Sequence, residues 1–208
     1  MILRELGRIG YLGALELQEA ARDRVLAGGD HELLLLEHDP VVTLGRRGGV
    51  VDRATLARLE TPVVETRRGG LATWHGPGQL VGYPIVHLGR ARVDVTTFVR
   101  RLGDLMLAIA GRLGVTDAAY DDARPGIYRE GRKLGSVGLH IHRGVTMHGF
   151  ALNVDVDLAG FQAIVPCGLA GLHVSSLVRE GAVGATLDDA LAAARELAPP
   201  TLLTVSAG

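Results

Sequence analysis

The sequence predicts an α/β fold of the α+β type, in which a mixed β-sheet has flanking helices. Segments with helical periodicity alternate with pairs of strand-like apolar runs. Helices that interleave with hairpins, rather than with single strands, favour a mixed sheet over a doubly wound parallel one. A length of 208 residues fits one domain with a sizeable core, so we expect residues 1–208 to form a single domain.

Apolar residues at helical spacing predict four helices. The clearest has a stripe of Phe98, Leu102, Leu105, Ile109 and Leu113, and Gly114 fits its C-terminal cap. The four predicted helices are Gly13 to Leu26, a short one near Asp52 to Leu59, Thr97 to Leu113, and Thr186 to about Leu197. We expect the Ala-Pro-Pro-Thr run that follows to end the last helix.

Short apolar runs bounded by turn residues predict the strands. Two runs flank the Asp39-Pro40 turn, and a hairpin is expected around Glu130-Gly131. The predicted strands are Leu33 to Leu36, Val41 to Leu44, Val63 to Thr66, Leu80 to Leu88, Gly126 to Arg132, Leu134 to His142 and Val145 to Val156.

Composition excludes several classes of function. The formal net charge is −1, so no global field favours nucleic acid or an anionic membrane as a partner. A single cysteine excludes an intramolecular disulfide and suits a reducing compartment, and the N-terminus lacks an apolar signal segment. We therefore expect a cytoplasmic protein. Three arginine doublets, at residues 46–47, 67–68 and 100–101, are either solvated surface or a landing patch for an acidic partner.

Lys133 is the only lysine among 22 basic residues. A guanidinium stays protonated, whereas a desolvated ammonium can lose its proton. A chain this biased toward arginine loses surface lysines easily, so the one that remains is a candidate for proton chemistry.

A glycine-rich block runs from Arg67 to Gln79, with the sequence RRGGLATWHGPGQ. Its four glycines and one proline predict an irregular loop whose backbone can approach a ligand closely. The alternative is an ordinary hairpin connection. The block lacks the Gly-Lys-Ser/Thr signature of a phosphate-binding loop.

Histidines and glycines follow Lys133 along two predicted strands. Gly135 and Gly138 suit close contact with a substrate. His140, His142 and His148 raise the question of a metal site, but no carboxylate or cysteine completes one at usual spacing, so we expect no metal. His148 is either a hydrogen-bonded core residue or a supporting residue of an active site.

The only cysteine, Cys167, lies in a Pro-Cys-Gly turn. A lone cysteine in an apolar setting is usually an inert hydrophobe. A catalytic thiol needs a neighbouring cation or base, because few thiols ionise at neutral pH, and Lys133 would supply either if the fold brings it close.

Together these blocks resemble the lipoyl(octanoyl) transferase family. The matching stretches are LLLEHDPVVTLGRRG, RRGGLATWHGPGQLVGYP, GRKLGSVGL, HGFALNVDVDLAGF and IVPCGLAG, in family order. They cover about Leu33 to Leu177. The departures are mild: Asp39 stands where a second proline is common, and Gly135 occupies a variable small-residue position.

The resemblance implies the fold of the lipoate/biotin-protein ligase catalytic domain and no cofactor. It also implies an acyl-thioester on Cys167, with Lys133 lowering the pKa of the thiol and shuttling its proton. The substrate-binding residues carried over are Arg68, Gly69, Gly70, Leu71, Ala72, Thr73, Trp74, His75, Ser136, Val137, Gly138, Gly149, Phe150 and Ala151.

The implied donor is octanoyl-acyl carrier protein. The implied acceptors are lipoyl domains of 2-oxoacid dehydrogenase E2 subunits and the glycine cleavage H protein. Two alternatives stay open from the residues: an ATP-dependent lipoate or biotin ligase of related fold, which needs no cysteine, and a non-catalytic module that binds an acylated ligand. Unrelated cysteine hydrolases are disfavoured, since their local signatures are missing.

Overall fold

A seven-stranded mixed sheet lies at the centre of the structure, a computed structural model that describes residues 1–164 and 173–203. In chain order the elements are β1 (Ile2–Ile9), α1 (Tyr11–Leu26), β2 (Glu32–His38), β3 (Val41–Leu44), α2 (Arg53–Arg58), β4 (Val63–Glu65), β5 (Ala72–His75), β6 (Gln79–Ile85), α3 (Leu88–Ala91), α4 (Val95–Arg112), β7 (Ala119–Tyr120), β8 (Gly126–Arg129), β9 (Arg132–His142), β10 (Val145–Asn153), a 3-10 helix (Leu158–Ala163) and α5 (Leu187–Leu203).

The large sheet has the strand order β1-β2-β6-β10-β9-β8-β7. Strands β1 and β2 run parallel, and the remaining neighbours pair antiparallel. The predicted mixed sheet with flanking helices is therefore confirmed. A second sheet, β4-β3-β5, contains one parallel and one antiparallel pair.

Helices cover both faces of the large sheet, which explains the unbroken leucine run of β2. Leu33 and Leu35 pack into the core that α4 and α5 form on one face. Leu34 and Leu36 pack against α1 on the other face. A strand buried on both faces has no polar alternation, so it reads as a continuous apolar run. Within residues 1–164 and 173–203, no helix has both the length and the apolarity that crossing a bilayer requires.

The hairpin β8–β9 turns at Glu130 and Gly131, as predicted. Their φ angles are +47° and +79°, the two positive values that a type I′ turn requires. This turn matches the right-handed twist of the strands, and it places Lys133 one residue after the first residue of β9.

Strands β6 and β10 end at Ile85 and Asn153, before the predicted Leu88 and Val156, and two other predicted boundaries are wrong for reasons that packing explains. Helix α5 continues through Pro199 and Pro200 to Leu203, although a proline removes a helical hydrogen bond. The buried side chains of Ala198 and Leu202 pack into the main core at this end, and that burial outweighs the lost bonds.

The second wrong boundary lies in the glycine-rich block, where Ala72–His75 forms strand β5 instead of irregular loop. Strand β5 pairs with β3, with Val42 opposite Trp74 and Val41 opposite His75. Only the residues before and after it form loops, because the β3 partner supplies the hydrogen bonds that the local sequence does not reveal.

Gly149 is required by the close approach of β6 and β10. A Cβ added there would lie 2.1 Å from the carbonyl oxygen of Gly82 and 2.6 Å from Cδ of Pro84. We expect Gly149→Ala to lower the free energy of unfolding by about 3 kcal/mol, because the backbone of β6 must move.

Gly111 of α4 is the matched control, since a Cβ there meets nothing within 4 Å. Gly111→Ala is expected to raise stability by about 0.5–1 kcal/mol through helix propensity. Urea unfolding of the two variants measures both effects, and equal stabilities would contradict this account of the strand pair.

Candidate active site

One cavity of about 370 Å³ brings together the glycine-rich segments that the sequence singled out. Its volume lies within the range of small-ligand sites, roughly 300–1,000 Å³. The predicted residues that line it are Arg68, Gly69, Gly70, Leu71, Ala72, Thr73, His75, Lys133, Ser136, Val137, Gly138, His148, Gly149, Phe150 and Ala151.

Two predicted residues are not among those that line the cavity. Cys167 lies outside the described residues. Trp74 is 5% exposed and packs in a separate core with Phe161, their ring centroids 5.4 Å apart. The indole therefore packs in this core and does not line the cavity.

Several lining residues were not among the predicted site residues. They are Tyr11, Arg47, Tyr83, Ala123, Arg124, Pro125, Asn153, Phe161 and Val174. Asn153 carried a signal, because a lone asparagine ending an apolar strand needs partners for its amide. Tyr11 carried none, since it comes from α1 and reaches the cavity only through tertiary packing.

Lys133 is buried, with 5% of its surface exposed, and lines the cavity. Its main chain lies opposite Tyr128 of β8 on one side and Val174 on the other. Its Nζ lies 5.1 Å from the centroid of the Tyr128 ring, within the range of a cation–π contact. Both the backbone and the side chain of Lys133 are thus held in place.

The chain that follows the Cys167 segment returns beside Lys133. The Lys133 amide donates to the carbonyl of His173 at 2.9 Å, and the Ser175 amide donates to the carbonyl of Lys133 at 2.9 Å. The Ser175 hydroxyl donates to Oε1 of Glu180 at 2.6 Å. This short segment is therefore bonded through its backbone and through a buried side chain.

Glu180 is buried and fully bonded. Arg132 donates to both its carboxylate oxygens, at 2.7 and 2.8 Å. These bonds, followed by the Ser175 bond, lower the pKa of Glu180 to about 2 against an opposing effect of burial. A charged, bidentate pair thus anchors the residue that holds Ser175.

A second chain of hydrogen bonds connects this segment to the glycine-rich block. The Asn153 amide donates to the carbonyl of Ser175 at 2.9 Å, and the Gln79 amide donates to Oδ1 of Asn153 at 2.8 Å. Gln79 Oε1 lies 2.7 Å from Nδ1 of His75. A carbonyl oxygen only accepts, so Nδ1 carries the proton and Nε2 of His75 is the acceptor.

Arg68 holds the loop before β5 in place. Its Nη2 donates to the carbonyl and to the hydroxyl of Thr43, at 2.6 and 2.8 Å, and its Nη1 donates to Gly69 at 3.0 Å. The Gly69 amide donates to the carbonyl of Leu139 on β9 at 2.8 Å. A Cβ at Gly138 would lie 3.2 Å from Gly69 O, so the loop rests directly on the β9 backbone.

Aromatic and histidine rings lie beside the cavity. His38 Nε2 lies 2.7 Å from the Tyr83 hydroxyl, and His148 Nδ1 lies 3.4 Å from the Tyr11 hydroxyl. Burial, with a smaller effect of the Arg68 charge, lowers the pKa of His148 to about 3. Burial first, then the nearby His38, lowers the pKa of His75 to about 3. Both imidazoles are neutral at pH 7, so neither offers a positive charge to a ligand.

His148 adopts an unusual backbone, with a φ of +58° inside β10. Histidine tolerates the left-handed region better than most residues, at some cost in strain. The amide of His148 donates to Oε1 of Gln18 at 2.7 Å, so α1 holds this irregularity.

His140 and His142 line a neighbouring cleft of about 270 Å³, together with His148. Among residues 1–164 and 173–203, no group of three or more histidine, cysteine, aspartate or glutamate side chains is arranged to hold a metal ion.

Comparison with known proteins places these features in one family. The model of the lipoyl protein ligase A/B catalytic domain matches residues 10–196. The chain is 47% identical over 193 residues to the octanoyltransferase of Mycobacterium sp. strain KMS, covering 90% of this chain and 79% of that protein. It is 45% identical over 190 residues to the octanoyltransferase of Mycobacterium tuberculosis strain H37Rv, covering 90% and 80%.

Solved structures share the fold at low sequence identity. A crystal structure of lipoate-protein ligase A bound with ATP has a TM-score of 0.79 at 19% identity, covering 97% of this chain and 85% of that one. The bipartite lipoate protein ligase of Thermoplasma acidophilum, from a study that includes its E2 lipoyl domain, has a TM-score of 0.73 at 17% identity, covering 97% and 83%. The predicted likeness to ligase catalytic domains is confirmed.

The low pKa of His148 predicts an acid-sensitive fold. Below about pH 6.5 the imidazole of His148 takes up a proton in the unfolded chain but stays neutral in the folded protein. The free energy of unfolding therefore falls as the pH drops toward 3. Asparagine tolerates a positive φ, so His148→Asn is the suitable variant. Between pH 7.5 and 4.5 its free energy of unfolding should fall by about 2 kcal/mol less than that of the wild type. Thermal unfolding at both pH values measures this. An unchanged loss in His148→Asn would contradict the assignment.

The Ser175–Glu180 bond predicts a local effect on the pairing of Lys133. Ser175→Ala removes the bond, so the amides of Lys133 and Ser175 should exchange with solvent about tenfold faster. Hydrogen exchange read by NMR measures this. Ser176→Ala, at an equally buried neighbour, is the control, and faster exchange in both variants would show a global loss of stability instead.

Proposed function

Because this chain belongs to the lipoyl protein ligase A/B catalytic-domain family, as an octanoyltransferase, we propose that it carries octanoyl on Cys167 between two proteins. The proposed donor is octanoyl-acyl carrier protein. The proposed acceptor is the lysine of a lipoyl domain, in 2-oxoacid dehydrogenase E2 subunits or in the glycine cleavage H protein.

The observation that carries this proposal is the place of Lys133. The chain's only lysine is buried, lines the cavity of about 370 Å³, and pairs with the segment that follows Cys167 in sequence. A buried basic side chain at a cavity wall is a candidate for a chemical role.

The cavity also suits an acyl chain. Leu71, Val137, Phe150 and Phe161 supply apolar surface, and glycine backbone supplies the rest of the wall. The nearby histidines are neutral, so an alkyl chain meets no imidazolium. We propose that backbone N–H groups of the glycine segments stabilise the oxyanion that forms at the thioester carbon.

In the proposed first step, the Cys167 thiol gives its proton to Lys133 and its sulfur attacks the octanoyl carbonyl carbon. A new C–S bond forms, and the bond between the acyl carbon and the carrier's thiol breaks. The leaving thiolate takes the proton back and departs as a free thiol. Octanoyl is then bound to Cys167 as a thioester.

In the second step, the acceptor's lysine amine attacks the same carbon. The C–N bond of an amide forms, the bond to Cys167 breaks, and the proton lost by the nitrogen passes through Lys133 to the departing sulfur. The thiol of Cys167 is restored, so no net proton, electron or cofactor is consumed.

Mass spectrometry tests the covalent step. Incubation with octanoyl-acyl carrier protein alone should add one octanoyl group to the wild type, and hydroxylamine should remove it. Cys167→Ser should gain no hydroxylamine-labile group. An unmodified wild type that still transfers octanoyl would rule out the thioester, and a requirement for free octanoate, ATP and Mg²⁺ would indicate a ligase instead.

Lys133→Arg separates the charge of Lys133 from its proton transfer. The guanidinium keeps a positive charge but does not release its proton, so kcat should fall about 10²- to 10⁴-fold. Alkylation of Cys167 by iodoacetamide at pH 7 should change far less, because the charge near the thiol remains. Wild-type kcat in Lys133→Arg would contradict the proposed proton transfer.

A further inference from the structure

Two loops form a basic edge beside the cavity. The amide of Arg46 donates to the carbonyl of Arg68 at 3.0 Å, and the amide of Arg47 donates to the carbonyl of Gly70 at 3.2 Å. A Cβ at Gly45 would lie 2.4 Å from Gly70 O, so the two backbones touch. The loop of residues 45–48 is thus fixed on the glycine-rich loop.

These loops present three exposed arginines, Arg46, Arg47 and Arg67, which we call the arginine rim. Arg47 lines the acyl cavity, and Arg67 lines the neighbouring cleft. Within the described chain, none of the three forms an ion pair with a carboxylate at 4.0 Å or less.

The third arginine doublet behaves differently. Arg100 forms ion pairs with Asp104 and Asp122, both at 3.2 Å, and Arg101 donates to the carbonyl of Leu202 at 3.0 Å. Its charges are used inside the fold. In the doublets at residues 46–47 and 67–68, Arg68 is buried and holds the loop. The other three arginines form the rim, and their side chains face outward.

Charges around the rim are mostly positive. Burial lowers the pKa of His140, and Arg67 and Arg46 lower it further, so the rim's field reaches this histidine. Arg22 and His142 contribute in the same direction. Glu19 and Glu65 also line the cleft, and neither lines the acyl cavity. In a chain of net charge −1, this is a local concentration of cations.

We propose that the arginine rim docks the protein donor, through acidic side chains that surround the donor's acyl arm. The inference rests on the proposed function and names the surface that would select its donor. Exposed arginines at a cavity mouth steer an acidic protein and fix its orientation, mainly through the rate of association.

The acceptor fits the rim less well because of its own charge. Its reactive group is a lysine, which is an ammonium at neutral pH and is repelled by three guanidinium groups. The donor's thioester is uncharged, and the donor must remain at the mouth while its acyl chain enters the cavity. Charge complementarity therefore assigns the rim to the donor.

The test compares three donors with the wild type and the double variant Arg46→Gln/Arg67→Gln. The donors are octanoyl-acyl carrier protein, octanoyl-phosphopantetheine and octanoyl-N-acetylcysteamine. Arg47 is left intact because it lines the acyl cavity. In a ping-pong mechanism, kcat/KM for the donor reports only the first half-reaction, so effects on the acceptor are separated.

We expect kcat/KM for the carrier protein to fall about tenfold in the double variant and to lose most of its dependence on ionic strength. The kcat/KM values for both small donors and for the acceptor should stay within about twofold of the wild type. A change of that size is smaller than the usual effect of one surface ion pair. Arg143→Gln is the matched control: it removes an exposed arginine from the β9–β10 turn, outside both cavities.

Each other outcome overturns the inference. An equal loss with octanoyl-phosphopantetheine would assign the rim to the phosphate of the arm. A loss in kcat/KM for the acceptor would assign it to the second substrate, and no loss at all would leave the rim without a docking role. A wild type that uses none of the three donors would instead refute the proposed function, so the two failures are distinguishable.

Discussion

The main chain of Lys133 is paired on both sides, with Tyr128 of β8 and with Val174. This double pairing makes the residue an interior strand position at the point where the β8–β9 hairpin would otherwise be an edge. Much of the site's geometry follows from it. The side chain is directed to the cavity, and the segment that follows Cys167 in sequence is brought beside it. An edge strand would leave the lysine free to move with the hairpin.

Polar groups that lie away from the reacting atoms hold this arrangement in place. In the Arg132–Glu180 pair the carboxylate is buried while the guanidinium is 37% exposed, and the Ser175 hydroxyl donates to the carboxylate. Such a pair contributes little net stability, because desolvation offsets its attraction. The pair instead fixes the orientation of the Glu180 carboxylate, because a carboxylate bound through both oxygens has few other orientations. The Asn153–Gln79–His75 chain has the same effect on the glycine-rich block.

Sequence patterns predicted the elements whose partners are close in the chain. The periodicity of α4 and the turn at Glu130-Gly131 both give the observed elements. Strand β1 was not predicted, because it becomes a strand through its parallel partner β2, and no local alternation marks it. The end of α5 was predicted wrongly for the opposite reason. The local chemistry of the proline pair predicts the end of a helix, whereas the tertiary burial of Leu202 keeps the chain helical there.

The sequence motifs indicated which residues meet around the cavity, and the roles of those residues stay predictions. Most of the motif residues line one cavity, yet Trp74 packs against Phe161 in a separate core. Without the register of β5 against β3, the motif alone does not show which of its residues face inward. Tyr11 shows the same limit, since only the packing of α1 brings it to the cavity.

Composition and geometry agree most closely at the one lysine. The cations that hold backbone or carboxylates in fixed geometry, such as Arg68 and Arg132, are arginines, whose planar fork suits bidentate bonds. A residue proposed to pass a proton cannot be an arginine, because the guanidinium does not release it at any pH the fold would experience. In a chain with many lysines the same position would carry no signal. Here the bias toward arginine removes that background, so the requirement for an exchangeable proton shows in the sequence before any contact is known.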